Sequence, residues 1–449
     1  MNWNKERSSG ILLPISSLPS GHGIGTFGRA AYEFADFLRA AGQKYWQMLP
    51  LGPTNDWNSP YQCRSSGAGN PNYIDLDLLV EDGLLAPEEV SRHFWGDDPR
   101  QVDYRAVRQS RSTLLARVAE RGLKRDQEEV ARFIEENKEW LSDYALFTAL
   151  ERRYGTSYWT KWPDLELRQH HPDALRLARK ELVGEIEVIT YTQFLFYRQW
   201  DALKSYINSL GIKVIGDLPI YMPINSSDVW AEQKLFLLDK NGIPTEVSGA
   251  PPDAFCPDGQ VWYTPLYDYE AMRQDDFAWW MRRVDLVAKL FDVIRLDNFQ
   301  GYASYYAIPG GSSNALDGHW VKGPGMDLVG LLKKEFPNLE FIAEDLGEPS
   351  PTVTKLLHDS GWPGMKVLEF AFDSGEPNDY QPHNYTNNCI CYTGTHDNST
   401  VMEWYQEANK NDREYACKYL GISRSEGFNW GMIRGGMSSV SKLFVAQMQ

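Results

Sequence analysis

The chain has 449 residues, a length that suits about three ordinary domains or one barrel enzyme enlarged by insertions. Its 45 Lys and Arg against 61 Asp and Glu leave a net charge of −16, and so acidic a surface repels nucleic-acid phosphates and anionic lipid headgroups. No apolar run approaches the ~18 residues of a membrane span, and the opening Met1-Asn2-Trp3-Asn4-Lys5-Glu6-Arg7 is too polar for a secretory signal, so a cytoplasmic protein is expected.

Eight short β-rich runs alternate with helical periods. They are Gly10–Pro14, Tyr45–Pro50, Lys213–Asp217, Asp292–Arg295, Glu340–Glu344, Met365–Phe370, Cys389–Thr393 and Leu443–Met448. Between the first two, Tyr32, Phe34, Phe37, Leu38 and Ala41 mark a helix with one apolar side, and Gly42 is placed to end it. Helices over roughly Glu187–Leu210 and Met272–Phe291 lead into the third and fourth runs. Eight such units predict an α/β fold, a (β/α)8 barrel.

The spacing is uneven. Residues 1–53 carry strands one and two. Residues 54–186, with charged helical stretches near Asp103–Arg121, Asp126–Tyr154 and Asp173–Leu182, read as an inserted, mostly helical subdomain. Residues 187–449 carry strands three to eight, with 221–269, rich in Pro, Gly and aromatics, expected as a loop over the barrel mouth. The eighth run lies at the end of the sequence, so no eighth helix is predicted after it.

Catalytic groups of such barrels sit at the C-terminal strand ends. There the sequence places Asp217, Asp297, Glu344 and Asp397. Arg295 stands two residues before Asp297, on the same strand face, so the pair is expected to meet and Arg295 to keep Asp297 ionised. Glu344, sharing the mouth with Asp297 and Asp397, is expected to be pushed toward its protonated form. Carboxyls divided in this way into acid and nucleophile are the apparatus of retaining glycoside cleavage, which sets them about 5 Å apart. His396, in Thr393-Gly394-Thr395-His396-Asp397-Asn398, is a candidate for binding ligand hydroxyls. Aromatics make up 13% of the chain, and the flat faces and polar edges of Trp and Tyr suit sugar rings.

No cofactor is expected. The five cysteines form no Cys-x-x-Cys pair and the histidines lack ligand spacing, so no metal and no disulfide framework is predicted. Absence of a Gly-x-Ser-x-Gly elbow and of a phosphate loop removes esterase and kinase readings.

Taken together, the motifs Gly10-Ile11-Leu12-Leu13-Pro14, Ser59-Pro60-Tyr61-Gln62, Ala68-Gly69-Asn70-Pro71, Gly216-Asp217-Leu218-Pro219-Ile220-Tyr221, Pro251-Pro252-Asp253, Gly259-Gln260-Val261-Trp262, Ala343-Glu344-Asp345-Leu346-Gly347, Pro363-Gly364-Met365-Lys366-Val367-Leu368 and Gly394-Thr395-His396-Asp397-Asn398 cover the whole chain. On them the chain resembles the four-alpha-glucanotransferases, or amylomaltases, of the α-amylase superfamily. The resemblance implies Asp297 as nucleophile of a β-linked glucosyl-enzyme, Glu344 as general acid/base and Asp397 as transition-state stabiliser. It further implies that Arg295, Asp217 and His396 hold the sugar at the cleavage point, and that Ser59, Tyr61, Asp253 and Trp262 line the glucan groove. Donor and acceptor would be maltooligosaccharides and α-1,4-glucans. The chain departs from the family pattern at Asn298 and Gln300, where His and Arg are usual, at Tyr263 and Thr264, where Gly-Asn is usual, and at Arg64 and Gly67, where aromatics are usual. Family members also continue for tens of residues past the eighth strand. Two other readings remain at this stage: an α-glucan hydrolase of the same superfamily, and a non-catalytic glucan-binding homologue.

Overall fold

The computed structural model describes residues 6–252, 256–347, 350–373 and 378–449. Along these residues run the strands β1 (Ser8–Leu12), β2 (Tyr45–Gln47), β3 (Lys213–Leu218), β4 (Glu246–Ala250), β5 (Gln260–Pro265), β6 (Val293–Leu296), β7 (Ser304–Pro309), β8 (His319–Lys322), β9 (Glu340–Ala343), β10 (Gly364–Val367), β11 (Cys389–Tyr392) and β12 (Leu443–Gln447). Eight of them close a parallel barrel in the order β1-β2-β3-β6-β9-β10-β11-β12, and β12 returns to β1 through Ser8↔Leu443 to Leu12↔Gln447. These are the eight runs read from the sequence. Their ends are trimmed where the chain turns, as at Leu368–Phe370, a single 3₁₀ turn.

Alternation along each strand sorts the barrel interior into layers. Ile215 and Val293 point inward with Leu12, Tyr45, Ile342 and Val445 in one buried apolar cluster. Two residues further on, the same inward face carries Asp217 on β3 and Arg295 on β6, which are register partners. Higher polarity at this level continues around the ring, where Tyr392 donates a 2.9 Å hydrogen bond to Gln47. The intervening Gly216 faces outward, where a Cβ would lie 2.0 Å from the Phe291 ring, so only glycine lets the helix before β6 close on β3.

Outside the ring, Arg29–Ala40 buries Ala31, Ala35 and Leu38. Helices Tyr104–Arg125, Gln127–Glu136, Lys138–Tyr154 and Pro172–Glu181 surround the long helix Val183–Ser209, which buries Tyr191, Phe194, Phe196 and Trp200. The stretch read as one helix over 126–154 breaks at Asn137. Its side chain bonds the Phe133 carbonyl at 2.9 Å and accepts from the Trp140 indole at 3.0 Å, competing with the helical ladder. The stretch 272–291 likewise splits before Ala278–Leu290, where Asp276 and Phe277 adopt left-handed backbone angles. Among the described residues no helix is long and apolar enough to cross a membrane.

One expectation needs correction. Residues 221–269 are more than a loop: β4 and β5 pair antiparallel, and β7 and β8, from the segment after β6, complete a four-stranded sheet in the order β5-β4-β7-β8. This sheet joins two segments distant in sequence, so periodicity within either one does not reveal it.

Candidate active site

The site forms where β3, β6, β9 and β11 end. Parallel pairing sets Asp217 beside Arg295 and Leu296 beside Ala343, so the next residues, Asp297 and Glu344, emerge side by side at the mouth. Their backbones extend the ladders by one step: Asp297 N–H donates to the Leu218 carbonyl at 3.2 Å and Glu344 N–H to the Leu296 carbonyl at 3.1 Å.

Arg295 organises the carboxylates. Its guanidinium, 1% exposed, lies 2.6 Å from Asp217, 3.4 Å from Asp297 and 3.6 Å from Glu344. Burial disfavours its charge, but Asp217, Glu344, Tyr61 and Asp297 more than offset this and hold Arg295 well above its ordinary range. One cation thus serves three acids, which leaves part of the negative charge uncompensated.

Burial, more than that imbalance, raises the two carboxyls at the mouth. Burial pushes Asp297 up to about 7, against the opposing pull of Arg295, and Asp217 adds to the push. The sequence-based expectation that Arg295 lowers Asp297 has the right sign for that one interaction; the loss of solvent outweighs it. Burial pushes Glu344 further, up to about 8, with Arg295 opposing and Asp297 reinforcing. Both groups sit high because both are desolvated.

Asn298 follows Asp297 in the left-handed region at φ 46, a conformation that Asn tolerates better than most residues. The turn aims its backbone N–H at Glu344, 2.5 Å away, and Phe299 N–H returns to the Glu344 carbonyl at 2.9 Å. Asp297 and Glu344 are therefore fastened to each other by main chain.

On the opposite wall, Tyr61 donates to Asp217 at 2.7 Å and stacks on His396 with ring planes 7° apart. Burial, then Asp217, keeps its phenol protonated, well above the ordinary value. Since that one proton goes to Asp217, the 2.6 Å contact with His396 is assigned as Nε2–H donating to the Tyr61 oxygen. Burial lowers His396, favouring the neutral ring, while Nε2 also lies 3.2 Å from Asp397. The turn carrying His396 and Asp397 is tied by Thr395 N–H to Asn398 at 2.9 Å and by Gln447 of β12 to the Thr395 carbonyl at 2.7 Å.

A cleft of about 460 Å³ opens over these groups, lined by Tyr61, Tyr221, Trp262, Asp297, Glu344 and Asp397 among others. Asp217, Arg295 and His396 sit behind this lining and orient it. Ser59 does not line the cleft; it is half-buried in the preceding turn, where its hydroxyl accepts from Tyr61 N–H at 3.3 Å. Asp253 lies outside the described residues.

The departures from the family pattern also find places. Arg64 pairs with Glu151 of helix Lys138–Tyr154 and with Asp56 at 3.0 Å, anchoring the Tyr61 loop to the helical region. Gly67 closes on the Trp140 indole, where a Cβ would meet ring carbons at 2.5 Å. Thr264 lines the cleft and its hydroxyl bonds Ser248. Sequence reasoning passed over Ile220, whose N–H faces Asp297 at 3.4 Å, because a backbone donor carries no side-chain signal. Among the described residues no group of three or more His, Cys, Asp or Glu is placed to hold a metal ion.

A family model described as 4-alpha-glucanotransferase matches residues 13–449. The chain is 42% identical to a 4-alpha-glucanotransferase of Clostridium butyricum, over 97% of this chain and 90% of that protein. It is 41% identical to one of Thermus thermophilus, over 99% and 89%. Amylomaltase from Streptococcus agalactiae, solved in complex with acarbose, superposes with a TM-score of 0.96 at 37% identity, covering 99% of this chain and 90% of that one. Agreement on this scale, in sequence along nearly the whole chain and in the barrel that carries the acids, makes the chain a member of the 4-alpha-glucanotransferase family.

Proposed function

We propose that this enzyme moves α-1,4-glucan segments between maltooligosaccharides by a retaining double displacement at Asp297 and Glu344. In the first step the Asp297 carboxylate attacks the anomeric carbon of the donor. Glu344 gives its proton to the departing glycosidic oxygen, and a β-linked glucosyl-enzyme forms. In the second step Glu344, now ionised, takes the proton from a hydroxyl of the acceptor glucan, whose oxygen displaces Asp297 and restores the α-linkage. Asp397, at the open side of the cleft, would grip hydroxyls of the glucose being transferred, with His396, Tyr61 and Asp217 holding the ring behind it.

The observation that carries this reading is the single guanidinium of Arg295 within 3.4 Å of Asp297 and 3.6 Å of Glu344. It keeps the two carboxyls together at the base of one cleft. A cytoplasmic setting is the companion inference, supported by Cys63, Cys389, Cys391 and Cys417, none of which is in a disulfide.

The test is a time course on maltotriose with products separated and reducing ends counted. Transfer gives a ladder of longer maltodextrins plus glucose at constant reducing-end count; a rising count identifies a hydrolase instead. Asp297→Asn is expected to abolish turnover and retain maltooligosaccharide binding, and full activity in that variant would refute the assignment of the nucleophile.

A further inference from the structure

A second cleft, about 490 Å³, opens from the first and shares Tyr221, Trp262 and Asn298 with it. Its character is different. Where the first cleft holds three carboxyls, none of the described residues lining the second is charged. Its far wall comes from the β7–β8 hairpin, which contributes Tyr306 and Trp320.

These two aromatics are built as a pair. Tyr306 is buried, its hydroxyl donates to the Ala315 carbonyl at 3.0 Å, and its ring meets the Trp320 indole edge to face at 5.4 Å. Trp320 is braced on one side and 49% exposed on the other. A fixed, half-open indole face beside a cleft whose described lining is uncharged suits the apolar CH faces of a pyranose, with neighbouring polar groups left for its hydroxyls.

Position decides which sugar it receives. The second cleft meets the first at Tyr221, Trp262 and Asn298, and it is lined further on by Ser350 and Pro351 from the segment after Glu344, the carboxyl that the Asn298 N–H holds. Glu344 serves the oxygen that departs from the donor or arrives with the acceptor, so a glucan extending past it on this side is the acceptor chain. We infer that the β7–β8 hairpin forms a distal acceptor platform on which Trp320 stacks a glucose unit remote from the bond being made, so that the enzyme favours longer acceptors. The inference rests on the transferase reading above and adds a residue that sets acceptor length.

The test uses the full chain with α-maltosyl fluoride as donor, whose fluoride release reports formation of the maltosyl-enzyme, and with glucose or maltotetraose as acceptor. Trp320→Ala is expected to raise KM for maltotetraose about tenfold and KM for glucose less than twofold, at matched kcat. Trp320→Phe, which keeps a flat face, is expected to recover most of the preference. An equal loss with both acceptors, or none with either, would overturn the platform. Wild-type protein that releases fluoride but transfers to neither acceptor would remove the transferase reading, and the platform with it.

Discussion

Two glutamates just past neighbouring barrel strands, Glu344 after β9 and Glu369 after β10, are both pushed up to about 8 by burial, yet only Glu344 faces the cleft. Around Glu344 stand Arg295 at 3.6 Å, the Asn298 N–H at 2.5 Å and the charge of Asp297. Glu369 is 7% exposed, one of its carboxyl oxygens is without a hydrogen-bond partner, and Glu403 is the charge that adds to its burial. A Cβ on Gly394 would lie 2.6 Å from that oxygen, so Glu369 is packed behind the turn that presents His396 and Asp397. Similar acidity thus arises in two settings. What separates them is access to the cleft, a donor holding the carboxyl in place and a second carboxylate beside it; a raised value alone identifies neither role.

The comparison is broken most forcefully at Glu344. Glu344→Gln is expected to slow transfer between maltooligosaccharides by about four orders of magnitude or more, while α-maltosyl fluoride, whose leaving group needs no proton, still loads the enzyme. Equal loss with both donors would remove Glu344 from the acid's role. The same assay yields the pH dependence. Wild-type kcat/KM should fall below about 7, as Asp297 takes up a proton, and above about 8, as Glu344 gives one up. With the fluoride donor, the Glu344→Gln variant should lack the alkaline limb.

An intermediate effect is expected at Arg295. Lysine keeps the charge but not the fork that reaches three carboxyls, so Arg295→Lys should cut kcat roughly 100-fold and lower the melting temperature, since Asp217 stays buried with a poorer partner. The variant should leave the titration of Glu369 where it is, which a difference in the pH dependence of melting would reveal.

The smallest effect is expected at Glu369. Its folded value lies above the unfolded one, so whatever stability it contributes is present below about 4.5 and is lost as pH rises through about 8. Glu369→Gln should therefore melt like wild type near pH 4.5, gain roughly 2–4 °C at pH 9 and retain transferase activity. A loss of activity comparable to that of Glu344→Gln would erase the distinction between the two sites.

Much of this site is legible in one dimension. Asp297 and Glu344 are found because each directly follows a parallel strand that ends at the barrel mouth, Asp397 because it lies in the turn past β11, and Arg295 because two residues along a strand share a face. Ser59 shows where that reasoning stops: its motif lies beside Tyr61, but the turn spends its hydroxyl on the backbone. The β5-β4-β7-β8 sheet, and with it Trp320, was hidden because its halves come from separate excursions and are joined only by pairing.

The sequence by itself determined the barrel, the identity of its acids and their order along the mouth, since these follow from the alternation of strand and helix and from the twofold period of strands. Only the tertiary structure decided how burial raises Asp297 and Glu344, and what forms the walls of the second cleft. Solvent exclusion and non-local strand pairing depend on what closes over a residue from elsewhere in the chain, and local periodicity carries no record of either.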